Sequence, residues 1–232
     1  MQRRKFTAGL TAIAGSWGWQ GGAQAAGLSE LDASSGVRAA LERGALAAVG
    51  LLGKTDGFLG NPKVRIPLPG FLNDAAKLLK ATGQQKRVDQ LVTAMNRAAE
   101  AAMPEAKALL VSTVKAMSVD DALKVVKGSD NSVTQFFADK TREPLGVKFL
   151  PIVTQATEKV SLAAKYNSLA SKAASLGLMK KEDASIEQYV SGKALDGLFL
   201  MIGEEERKIR KDPVGTGSAI LKKVFGSLKQ GA

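Results

Sequence analysis

Apolar side chains return every three or four positions along most of this 232-residue chain, and only residues 63–69 break the pattern. That spacing commits the chain to amphipathic helices, which bury their apolar stripes only by packing on one another. In the exception, Val64, Ile66 and Leu68 alternate with Arg65, Pro67 and Pro69, a period-two pattern suited to extended backbone and ill suited to a central strand. The expected fold is an all-α, multi-helix bundle with one extended Pro-containing loop or short edge strand near residues 63–69.

The periodicity places helices over 29–53, with Gly53 as the stop, and over 71–82, closed by Gly83. Val88, Leu91, Val92, Met95, Ala98, Ala99 and Ala102 form the longest apolar stripe. Pro104, Pro144 and Pro151 are each expected in the first turn of a new helical segment, where a missing N–H costs nothing. Ser118 and Asp121 have the spacing of a capping box opening a helix that runs to about Lys127. Further helices are expected over 161–176, 185–212 and 217–229, with no Pro-, Gly- or Ser-rich linker between them. Residues 26–232 therefore read as a single helical domain.

Residues 1–25 read as an export signal. Arg3, Arg4 and Lys5 form a basic start, Phe6 to Trp19 carries no charge, and Ala23-Gln24-Ala25 supplies the small residues that precede cleavage. Arg3-Arg4-Lys5-Phe6 resembles the twin-arginine motif, so either the Tat or the Sec route is open. The glycines at 9, 15, 18, 21 and 22 interrupt any run long enough for a transmembrane anchor. The expected location is the bacterial periplasm, with the signal cleaved near Ala25 and no transmembrane anchor left after cleavage. Cleavage removes three of the 33 basic residues, none of the 22 acidic ones and both tryptophans, leaving a positive surplus of eight. With so few aromatics left to stack on bases, no nucleic-acid partner is expected.

The chain has no His and no Cys. That excludes His-based triads, thiol nucleophiles, zinc held by nitrogen or sulfur, and iron–sulfur or His-ligated haem centres. No cofactor is expected. Ala48 to Thr55 satisfies a relaxed phosphate-loop pattern, but a helix precedes it where a strand is required, so it reads as a helix stop with Lys54 in solvent. Ser112-x-x-Lys115 and Ser129-Asp130-Asn131 match two motifs of penicillin-recognising enzymes; the third is absent, and Asp130 reads as a helix cap.

Among the carboxylates, Glu204 with Lys208 and Glu206 with Arg210 read as surface pairs one helical turn apart. Glu100 stands near Glu105. Asp196 lies within Leu195-Asp-Gly-Leu-Phe-Leu-Met-Ile202, where the surrounding apolar residues predict at least partial burial and a charged partner. Arg97 stands opposite the long stripe, either covered by a second layer or solvated. Asp56, Asn61 and Asp130 are the oxygen donors a metal could use, without the spacing of an EF-hand.

Asp56 to Pro69, Met95 to Glu100, Phe149 to Val153, Ala194 to Ile202, Glu204 to Glu206 and Asp212-Pro213 together resemble the bacterial domain of unknown function 4197 family, from about residue 28 to 226. The resemblance implies an exported, mostly helical protein and supplies no reaction or catalytic residue. The expected function is a non-catalytic periplasmic binding or structural module that holds a lipid or other apolar ligand, or docks on an envelope protein. Arg65 and Asp196 are the candidate ligand contacts. The alternative is a carboxylate-dependent hydrolase acting on cell-envelope material, with Glu100 and Asp196 as its acid and base.

Overall fold

The computed structural model describes residues 30–177 and 184–212. Within them run seven α-helices: α1 (Glu30–Leu52), α2 (Gly70–Ala81), α3 (Gln85–Lys115), α4 (Val119–Lys127), α5 (Ser132–Thr157), α6 (Ser161–Ser175) and α7 (Ile186–Lys211). The expected export signal and the helix expected over 217–229 lie outside the described residues. No strand occurs among the described residues, so the segment near 63–69 takes the loop form and not the edge-strand form.

The stripe that begins at Val88 makes α3 the axis of the bundle. Val88, Leu91, Met95, Ala98, Ala99, Ala102, Ala106, Leu110 and Val114 are all buried on it. Four of these are alanines, and such small side chains let α1, α5 and α7 pack directly against α3. Bulk comes from the neighbours: Phe137, Leu145 and Phe149 of α5 are fully buried, as are Val190, Ala194 and Leu198 of α7. Gly44 serves the contact between α1 and α7, where a β-carbon would stand 3.4 Å from Ile209 Cδ1.

Pro104, Pro144 and Pro151 do not open new helices. Pro104 lies inside α3, and the other two lie inside α5. All three rings are exposed, while the buried row runs on past each of them: Met103 and Ala106 around the first, Thr141 and Leu145 around the second, Phe149 and Val153 around the third. Burial of a continuous face outweighs the one backbone bond each proline removes. The capping box is present as expected, with the Asp121 N–H donating to Ser118 Oγ at 3.0 Å and the Ser118 N–H to the Asp121 carboxylate at 3.2 Å. Those bonds from Ser118 hold the Asp121 carboxyl below its ordinary pKa.

The junction of α4, α5 and α7 differs from the expected surface pairing of Glu206 and Arg210. Glu206 is buried, and its carboxylate accepts from the Val133 and Thr134 N–H groups, both at 3.1 Å, and from Thr134 Oγ1. It thus caps α5, a role expected of Asp130. Asn131 occupies the N-cap position and makes no side-chain cap bond. Arg210 pairs with Glu206 at 2.9 Å and also donates to the Val125 carbonyl at the end of α4 and to Ser132 Oγ. One carboxylate of α7 thereby caps the start of α5, and one guanidinium joins Ser132 Oγ, which donates to the same Val125 carbonyl at 2.7 Å, at the end of α4.

Glu206→Ala removes the carboxylate that faces Arg210 and the acceptor of the first N–H groups of α5. We expect it to lower stability by about 3–5 kcal/mol in urea unfolding, whereas Glu205→Ala on the same turn should change it by at most about 1 kcal/mol.

Candidate functional site

Between α1 and α2 the chain runs through seventeen residues of irregular backbone, 53–69, and α3 decides where they lie. Gly53 ends α1, donating to the Val49 carbonyl at 2.8 Å, and Asp56 then adopts a left-handed conformation with φ 63°. Gly57 follows at a point where a β-carbon would stand 2.3 Å from the Leu52 carbonyl oxygen, so only glycine fits. The chain next drops Phe58 into the core, where it is fully buried. Its N–H and that of Leu59 both donate to Glu100 Oε1, at 3.0 and 3.1 Å. The other Glu100 oxygen accepts from Arg97 at 2.6 Å, and Arg97 reaches on to Asp56 at 2.7 Å. These two acceptors raise the Arg97 pKa, Glu100 more than Asp56.

One turn back on α3, Asn96 holds the extended part of the loop. The Ile66 N–H donates to Asn96 Oδ1 at 2.8 Å, and Asn96 Nδ2 donates to the Ile66 carbonyl at 3.0 Å and to the Val92 carbonyl at 2.8 Å. The fully buried Asn96 amide therefore gives Ile66 the two bonds that a neighbouring strand would have given it. Val64 and Ile66 point into the core, while Arg65 and Pro67 face outward.

Helix α7 forms the second support. A β-carbon at Gly197 would stand 2.7 Å from the Phe58 ring and 3.3 Å from Val64 Cβ, so this glycine lets the loop lie directly on the helix. Tyr189 donates its hydroxyl to the Pro67 carbonyl at 3.2 Å, and Lys63 pairs with Glu204 at 2.9 Å. Lys63 and then Arg207 hold the Glu204 carboxyl below its ordinary pKa.

Two grooves flank the loop. One, of about 200 Å³, lies against α7 and is lined by Lys63, Arg65, Pro67, Lys193, Asp196 and Leu200. The other, of about 760 Å³, lies against α3, with Leu59, Pro62, Leu68, Val88 and Val92 as its apolar lining, Lys80, Asp89 and Thr93 as its polar lining, and Arg65 again at its edge. The larger volume falls within the range of small-molecule sites, roughly 300–1,000 Å³. A separate apolar cavity between α1, α4 and α7, near Val37, Val126 and Ile202, measures about 30 Å³, room for one water.

Arg65 and Asp196 thus line the same groove. Asp196 is not buried, however: its side chain is 47% exposed, paired with Arg142 and, at 3.4 Å, with Lys193. The apolar run of α7 sends Leu195, Leu198, Phe199 and Ile202 inward, whereas Lys193, Asp196 and Leu200 share its outer strip. Glu100 lines neither groove beside the loop and has both oxygens engaged beneath Phe58 and Leu59. Glu105 faces Lys148 at 3.9 Å. Lys54 follows a helix C-terminus and is exposed, Ser112 donates to the Leu109 carbonyl of its own helix, and Ser129 donates to Asn131. Asn61 accepts from the Lys63 N–H, and among the described residues no three acidic side chains gather as metal ligands. The structural roles of Asn96 and Arg97 escape the sequence reading. The one visible signal is a polar Asn four residues after Val92, beside the buried stripe.

The model of a family described as protein of unknown function (DUF4197) matches residues 27–226, which include the loop, its supports on α3 and both grooves. No curated protein and no solved structure matches the chain.

Asn96→Ala strips the Ile66 N–H and carbonyl of their partner while they remain covered. Urea unfolding should show a loss of about 2–4 kcal/mol, with the helical circular dichroism of the folded state retained.

Proposed function

The chain belongs to the DUF4197 family of proteins of unknown function, and on that footing we propose that it is an exported, non-catalytic binding module whose working surface is the clamped loop with its two grooves. The observation that carries this reading is the way the loop is held. Seventeen irregular residues would ordinarily be mobile, yet buried side chains of α3 fix their backbone at Phe58, Leu59 and Ile66 while Arg65 and Pro67 stay outside. A surface loop ordered before any ligand arrives binds without the entropic cost of ordering it later. In the larger groove Leu59, Leu68, Val88 and Val92 offer an apolar strip, beside Lys80 and Asp89, for a lipid or another apolar ligand, and the outer strip of α7 beside the smaller groove gives an envelope protein a second place to dock.

The reading places the protein in the periplasm after removal of the first 25 residues. Cell fractionation with N-terminal sequencing should find a processed product beginning near Ala26 outside the cytoplasm. Native mass spectrometry after gentle purification should retain a small apolar ligand, or cross-linking in intact cells should capture an envelope protein through the loop face. A product confined to the cytoplasm contradicts the location. An empty protein that also yields no loop-dependent cross-link contradicts the binding role.

A further inference from the structure

The groove between the loop and α7 carries an uneven charge. Lys63, Arg65, Arg142, Lys193 and Arg207 stand around it against only Asp196 and Glu204. Both carboxylates are already matched: Asp196 by Arg142 and Lys193, Glu204 by Lys63 and Arg207. Two of the cations are also seated on aromatic rings, Arg142 at 5.7 Å from the Phe199 centroid and Lys193 at 6.0 Å from that of Tyr189. Arg65 has no carboxylate partner among the described residues, and the clamp at Ile66 fixes the backbone that presents it. Its guanidinium stands at the crest shared by both grooves.

We infer that this groove binds a phosphate group, with Arg65 as its bidentate anchor and Lys193 and Lys63 as flanking charges. A planar guanidinium fork matches two oxygens of a tetrahedral anion, and the surrounding positive surplus raises the local concentration of anions. The inference rests on the reading of the loop face as a binding surface and adds the chemistry of what it holds. The phosphate belongs either to a small soluble molecule or to a lipid headgroup whose chains lie along Leu59, Leu68, Val88 and Val92 in the larger groove across the crest.

The test uses the processed chain in two arms. NMR titration with inorganic phosphate follows the amides of residues 63–66 and 193–200, and co-sedimentation compares phosphatidylcholine vesicles with and without phosphatidylglycerol. Arg65→Ala should weaken binding about tenfold, the loss of one charge-assisted pair, and Arg65→Lys by less. Asp196→Asn should strengthen it, because a negative charge leaves the groove wall. Lys115→Ala, which removes the same charge as Arg65→Ala from the exposed end of α3, should leave it unchanged. Arg65-dependent binding in solution supports a soluble phosphate, and Arg65-dependent binding on anionic vesicles alone supports a headgroup. Equal losses for Arg65→Ala and Lys115→Ala, weaker binding by Asp196→Asn, or no binding in either arm overturns the inference. Retention of an uncharged ligand in native mass spectrometry alongside such a failure keeps the binding module and rejects only the phosphate.

Discussion

Two polar side chains one turn apart on α3 determine what the loop face of this molecule looks like. Asn96 and Glu100 are buried beside a stripe of leucine, methionine and alanine, where an unsatisfied amide or carboxylate is destabilising by several kcal/mol. Their partners are backbone groups of residues 58, 59 and 66, so the chain between α1 and α2 has one low-energy course over the bundle. Every other feature of the face follows from that course. Phe58 enters the core, Gly57 and Gly197 give way to backbone and ring, and Arg65 is left on the crest between two grooves.

The same device recurs at the C-terminal end of α7. Buried Glu206 and partly buried Arg210 bond to the start of α5 and the end of α4, joining three helices. Loop and helix junction alike are positioned by charged or amide side chains that reach backbone across the interface. A core rich in alanine permits this, because its helices approach closely enough for a short side chain to span the gap.

The helices were legible because burial repeats every 3.6 residues, and α1, α2, α4, α6 and α7 begin and end within a residue or two of where their glycines, caps and stripes put them. The prolines misled for a local reason: at 104, 144 and 151 a rule about one missing N–H competes with a continuous buried face, and the face prevails. Asp196 misled in the reverse direction, since an apolar run around it suggested burial while the register of α7 turned it outward with Lys193 and Leu200. Glu206 and Arg210 have the spacing of a surface pair, and only the arrival of α4 and α5 buries them. What the sequence could not disclose was the long-range pairing of Asn96 with Ile66, because nothing in a helical Asn names the backbone group that will come to meet it. Arg65 and Asp196 were singled out from the residues alone, and they share a groove because the loop lies on the outer strip of α7.

Native-state hydrogen exchange tests the central claim most directly. If the α3 side chains hold the loop as part of the folded core, the amides of Phe58 and Ile66 should exchange only through global unfolding, with free energies equal to those of Leu91 and Met95 on α3. Rapid exchange at Phe58 and Ile66 while the α3 amides remain protected would contradict it.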